Sequence, residues 1–168
     1  MRISTRRPGG RRLMAIASIS LLGIALQPAA VLADTASEIR DEILSSSAYA
    51  RENLKDRDSG VSSQGSLQFW SSGGLIQEVP GDGSLATYES FTLTPKHVQV
   101  ITLEEGKSAV AMYYSEGSYH ITGSEPVAHY MTRVTEVYVK EGGQWKVRAA
   151  HFSPIAGGSG TNQNAVDD

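Results

Sequence analysis

The spacing of apolar residues changes along the chain. Between residues 36 and 56, Ile39, Ile43, Ala50 and Leu54 recur at helical intervals with Leu44 beside them, while Asp41, Glu42, Arg51, Glu52 and Lys55 fall on the other side. This pattern predicts an amphipathic helix. Thr35-Ala36-Ser37-Glu38 has the form of a capping box at its start. Asp58-Ser59-Gly60 ends it, and a polar loop runs through Gly65. Ser66–Trp70 is short and apolar and reads as a helical turn or the start of a strand. Ser71-Ser72-Gly73-Gly74 is a turn, Leu75–Val79 is strand-like, and Pro80-Gly81-Asp82-Gly83 is a second turn.

Further along, the period shortens to two. His97–Leu103, Ser108–Tyr119, His129–Lys140 and Trp145–Ser153 are rich in β-branched and aromatic residues and read as strands. Glu104-Glu105-Gly106-Lys107 and Glu141-Gly142-Gly143-Gln144 read as hairpin turns, and Gly117 marks a bulge in the second of these strands. A helix followed by a run of antiparallel strands predicts an α+β domain, with the helix on one face of a curved sheet. Residues 156–168 are small and polar, the composition of a flexible tail.

Charge divides the chain. Residues 1–33 hold five Arg and no acid, whereas residues 34–168 hold ten basic and eighteen acidic residues, a net charge of −8. No basic cluster follows Arg12, which argues against nucleic acid as a partner. The Arg-rich start, the apolar run Leu13–Leu26 and Val31-Leu32-Ala33 follow the order of a signal peptide cut after Ala33. The run is short for a membrane span, so the mature chain is expected to be periplasmic or secreted and free of the membrane; an uncleaved anchor is the alternative. Thr5-Arg6-Arg7 and Arg11-Arg12-Leu13-Met14 each match a twin-arginine signal in part, leaving the export route open. The chain has no cysteine, so disulfides, thiolate metal sites and cysteine nucleophiles are excluded.

Arg133-Val134-Thr135-Glu136-Val137-Tyr138-Val139-Lys140, the Gly-containing hairpin, Trp145-Lys146-Val147 and His151-Phe152-Ser153, with Ala109-Val110-Ala111 upstream, resemble the SnoaL-like branch of the nuclear transport factor 2-like superfamily. The resemblance extends over residues 35–155 in element order and is tight over 108–154. It implies a ketosteroid isomerase-like cone, in which a strongly curved antiparallel sheet wraps the N-terminal helix around an apolar cavity, and it implies a homodimer formed through the outer sheet face. The domains are then a signal peptide at 1–33, a SnoaL-like domain at 34–155 and a tail at 156–168. Relatives of this kind include isomerases, cyclases, dehydratases and structural modules, so the fold alone selects no function.

Candidate chemistry is sparse. His151 and Ser153 share strand parity with Trp145, Val147 and Ala149, which puts His151 at a cavity mouth as an acid/base or hydrogen-bonding group; a structural histidine in the sheet is the alternative. Arg133 lies inside a strand, where it binds an anion, pairs with Glu116 or Glu136, or is simply exposed. Tyr113 and Tyr114 point to opposite faces, so one of the two lies outside the cavity. Trp70 stands before a flexible turn, at a rim or in the core. The expected ligand-binding set is Trp70, Tyr114, His129, Arg133, His151 and Ser153, with His151 and Arg133 the catalytic candidates. No Asp lies between Asp82 and Asp167, so an isomerase-type oxyanion acid would have to be Glu116 or Glu136. His97, His120, His129 and His151 form no metal-ligand spacing, and the glycines at 157–160 precede no helix, so no metal or cofactor is expected. Three functions remain: an exported domain binding a small organic ligand in a mainly apolar pocket, an isomerase, dehydratase or cyclase acting on a carbonyl compound, and a structural dimerisation module.

Overall fold

The computed structural model describes residues 34–155; the expected signal peptide and tail lie outside the described residues. The helix α1 spans Thr35–Asn53. Its cap is Asp34, whose carboxylate accepts from the Ser37 amide at 2.7 Å, rather than Thr35. The Thr35 side chain is buried and committed elsewhere: its hydroxyl donates to Glu105 at 2.7 Å and accepts from the Gly106 amide at 2.7 Å. Glu38, expected to complete the capping box, instead accepts from Lys140 Nζ at 2.6 Å and Trp145 Nε1 at 2.8 Å. Tertiary partners have taken both box residues and tie the first turn to two hairpins of the sheet. Ile39, Ile43 and Ala50 form the buried stripe. Leu54, expected to extend that stripe, is the left-handed C-cap and is exposed.

Seven strands follow: β1 Ser66–Phe69, β2 Gln77–Val79, β3 Tyr88–Phe91, β4 Thr94–Glu104, β5 Ser108–Ile121, β6 Val127–Glu141 and β7 Gln144–Pro154. They form one sheet in the order β2-β1-β7-β6-β5-β3, with β4 also paired to β5. The long antiparallel meander β4 to β7 matches the four predicted strands to within a few residues. The sheet is not antiparallel throughout, because β1 runs parallel to β7, with Leu67 opposite Ala149 and Phe69 opposite His151. That junction continues the sheet outward to β2, and its two edges do not meet. The sheet is mixed, neither closed nor strongly curled. This overturns the cone and, with it, the SnoaL-like, nuclear transport factor 2-like and ketosteroid isomerase-like assignment.

Two irregularities decide which side chains face the helix. At Gly117 the β5–β6 register shifts, as the sequence suggested. The glycine has φ +147°, and a Cβ there would stand 2.6 Å from the Thr92 carbonyl oxygen. In β7 the register with β6 slips between Ala149, opposite Val137, and Val147, opposite Tyr138. Arg148 is the extra residue, and its guanidinium donates to the Gly65 carbonyl at 2.9 Å. An inserted residue reverses the alternation beyond it.

The core lies between α1 and one face of the meander. Ile39 and Ile43 pack with Val98, Ala109, Ala111, Tyr138 and Trp145, with Val100, Tyr113 and Val147 beside them. Ala109 and Ala111 are fully buried; their small side chains let the helix approach the sheet.

Candidate functional site

Toward the C-terminal end of α1 the helix and sheet do not fill the space between them. A cavity of about 620 Å³ remains, bounded by α1, by the segment Asp56–Val61 and by β1, β3, β5, β6 and β7. Its wall carries Trp70, Tyr88, Phe91, Tyr113, Tyr119, Tyr130, Tyr138, Trp145 and Phe152. Both tryptophans and five of the seven tyrosines of the chain are in this wall. Tyr119 and Tyr130 meet edge-on at 5.4 Å between ring centres. Trp70 stands at the rim, half exposed, with its indole N–H donating to Gln68 at 2.9 Å.

The polar centre of the cavity is Glu136. Alternation along β6 puts Val134, Glu136 and Tyr138 on the cavity face, and all three are buried. The Glu136 carboxylate accepts from the Tyr138 hydroxyl at 2.7 Å and the Tyr113 hydroxyl at 3.0 Å. Burial raises its pKa, and the two hydroxyls oppose that rise in part. The same burial, with the carboxylate alongside, holds the Tyr113 and Tyr138 phenols well above the ordinary tyrosine range.

A second acid, Asp56, accepts from the Tyr88 hydroxyl at 2.8 Å and the Ala86 amide at 3.0 Å. On the helix side Arg57 bridges Glu42 at 2.5 Å and Asp58 at 3.1 Å, and Lys146 also reaches Asp58 at 3.1 Å. Ser115 lines the cavity as well. Thr132, opposite Ser115 in the ladder, is buried and its hydroxyl has no hydrogen-bond partner among the described residues.

Of the six residues expected to bind ligand, Trp70 alone lines this cavity. Tyr114, Arg133 and Ser153 stand in one row across β5, β6 and β7, on the face of the sheet turned away from α1. His151 is in the next row on that same face, opposite Thr135, and meets Phe69 edge-on at 5.6 Å. Arg133 is exposed and donates to the Pro154 carbonyl at 3.1 Å, with no carboxylate partner among the described residues. His129 is exposed, with φ +53°. His151 and Arg133 therefore do not meet a cavity tyrosine, and the acid/base constellation expected from them does not form. The parity argument failed at Arg148: Trp145 and Val147 face the helix, whereas Ala149, His151 and Ser153 face away. Of the adjacent tyrosine pair, Tyr113 is inside and Tyr114 outside. Glu136 had a visible signal, an acid spaced by two from Val134 and Tyr138 in a β-branched strand.

No family model and no curated protein matches this chain. Among solved structures, the chain is similar to a protein of unknown function of the DUF3225 family from Pectobacterium atrosepticum, at 19% identity over 70% of this chain and 84% of that one, with a TM-score of 0.34.

Proposed function

We propose that residues 34–155 form an exported domain that binds a small organic molecule in the cavity between α1 and the sheet. The cavity itself carries this reading: about 620 Å³ left open among aromatic side chains, within the range of small-molecule sites. An architecture that served only to hold subunits together would gain by filling that space, since voids destabilise. The acids of the wall are engaged by tyrosine hydroxyls or by Arg57, which favours binding over turnover. Export is supported by the Arg-rich start, the apolar run and Val31-Leu32-Ala33.

A second copy of the chain is the proposed occupant of the opposite sheet face. Ile101, Met112, Tyr114, Leu67 and Phe69 are each 44–56% exposed there and lie in adjacent rows of the ladder. Contiguous exposed apolar side chains of this kind mark interaction surfaces.

Native mass spectrometry of the protein purified from its own host tests both points. A dimer mass carrying a non-covalent adduct of small-molecule size is expected, and N-terminal sequencing of the exported protein is expected to begin at Asp34. A protein that carries no adduct and takes up no neutral apolar dye such as Nile red would overturn the binding reading. A monomer at micromolar concentration would overturn the dimer.

A further inference from the structure

Besides its tyrosines, the cavity wall carries four carboxyl groups, Glu42, Asp56, Asp58 and Glu136, and one basic side chain, Arg57. Arg57 is spent on Glu42 and Asp58, and Asp58 takes Lys146 as well. Asp56 and Glu136 have only neutral donors. Tyr88 and the Ala86 amide hold the first; Tyr113 and Tyr138 hold the second. Two carboxylates thus face a space walled by aromatic rings, with no ion-pair partner for either among the described residues.

An anion entering this space would meet uncompensated negative charge and no free guanidinium or ammonium. A neutral apolar molecule would gain burial but leave the acids as they are. An organic cation gains burial, the faces of the aromatic rings and a counter-charge to the acids. Cation–π contacts strengthen when the cation is desolvated, and an opposite charge close by favours the ionised form of a carboxylate.

We infer that the cavity selects a small organic cation, an amine or quaternary ammonium compound, as a volume of about 620 Å³ can enclose. This rests on the binding reading above and adds the ligand's charge class to it. Trp70 and Trp145 form part of the wall, and the Lys140 ammonium stands over the Trp145 ring at 5.0 Å, a contact of the kind a bound cation would make. Glu136 and Asp56 are the charge-recognition residues.

The test uses the two tryptophans, which are the only ones in the chain and both line the cavity. The full-length protein is titrated with benzyltrimethylammonium, with its neutral carbon isostere neopentylbenzene, and with phenylmethanesulfonate, while tryptophan emission is followed. The cation is expected to bind about tenfold or more tighter than the neutral isostere, a difference that one or two cation–π contacts and a counter-charge account for, and the sulfonate is expected not to bind. Glu136→Gln and Asp56→Asn are each expected to shrink the preference for the cation and to leave the neutral compound's affinity in place. If Glu136→Gln does not fold, as judged by circular dichroism, Asp56→Asn alone carries this arm. Equal binding of cation and isostere, tighter binding of the sulfonate, or a preference unchanged in the folded variants would overturn the charge assignment and leave the binding reading standing. Silence from all three compounds and from Nile red would overturn the binding reading and the inference together.

Discussion

Glu136 contributes a pH dependence opposite in sign to that of the other displaced carboxyls. An exposed glutamate titrates near 4.5, and burial raises Glu136 above that value in the folded chain. The folded state therefore holds this proton more tightly than the unfolded state does. A carboxyl shifted in this direction contributes stability below its unfolded pKa and loses it as pH rises through the folded value. Over that window the folded protein binds up to one proton more than the unfolded one, so the contribution falls by at most about 1.4 kcal/mol per pH unit. Asp34, Glu38, Asp58 and Glu141 are displaced downward by their hydrogen bonds and ion pairs, and they act in the opposite direction. The measurement must isolate Glu136 from them. Urea denaturation followed by tryptophan emission, run from pH 4 to pH 9 on the natural protein and on Glu136→Gln, does so by difference. Gln keeps an acceptor for one of the two tyrosines and removes the titration. The stability of the natural protein relative to the variant is expected to fall with pH above about 4.5, then to flatten once the carboxylate is ionised in both states. A difference that is level across the range, or that climbs with pH, would refute the claim that desolvation dominates at Glu136.

Other consequences are open to direct measurement. Ile39→Ala removes a fully buried side chain from the junction of α1 and the sheet; it is expected to cost about 2–5 kcal/mol in chemical denaturation. Gly117→Ala places a Cβ 2.6 Å from the Thr92 carbonyl at a φ that side chains avoid, and a loss of more than about 1 kcal/mol is expected, with a lowered melting temperature as the readout. Arg133→Ala and His151→Ala lie on the far side of the sheet and are expected to leave the affinity for any cavity ligand within about twofold, a change smaller than the loss of one ordinary hydrogen bond. Met112→Glu in the exposed apolar rows is expected to break the dimer proposed above, read as a shift toward monomer in analytical ultracentrifugation, because a buried unpaired charge costs several kcal/mol.

The strands of the meander were legible because β5 and β6 combine β-branched and aromatic residues with short glycine turns, a pattern set by local sterics. The helix was legible from Ile39, Ile43 and Ala50. Its cap was not, since the choice between Asp34 and Thr35 was made by Glu105 and Gly106, which local sequence does not bring near. The sheet's shape was invisible for a related reason. The β1–β7 pairing joins segments far apart in sequence, and nothing in Ser66–Phe69 announces a parallel partner. Strand Tyr88–Phe91 was missed because its alternation is too short to register.

The candidate site was harder to read than the fold. Side-chain direction in a strand is a parity statement, and one inserted residue inverts it. Arg148 inverts it in β7, so the correct strand prediction carried His151 and Ser153 to the wrong surface. On β6, where no residue is inserted between Thr132 and Val137, the alternation holds and Glu136 stands where parity puts it.

The parallel junction of β1 with β7 also bears on how such a chain is made. Leu67 and Phe69, early in the sequence, find their parallel partners in the final strand. The rim residue Trp70 follows them, so the mouth of the cavity stays unfinished until the C-terminal strand is available. A chain released from the ribosome or threaded through an export channel from its N-terminus holds its aromatic wall open until the end, and long-range pairings of this kind form slowly. Truncation before Gln144 would strip Trp145 and Val147 from the core under the helix and leave the first strand without its parallel partner, and the cavity would be lost.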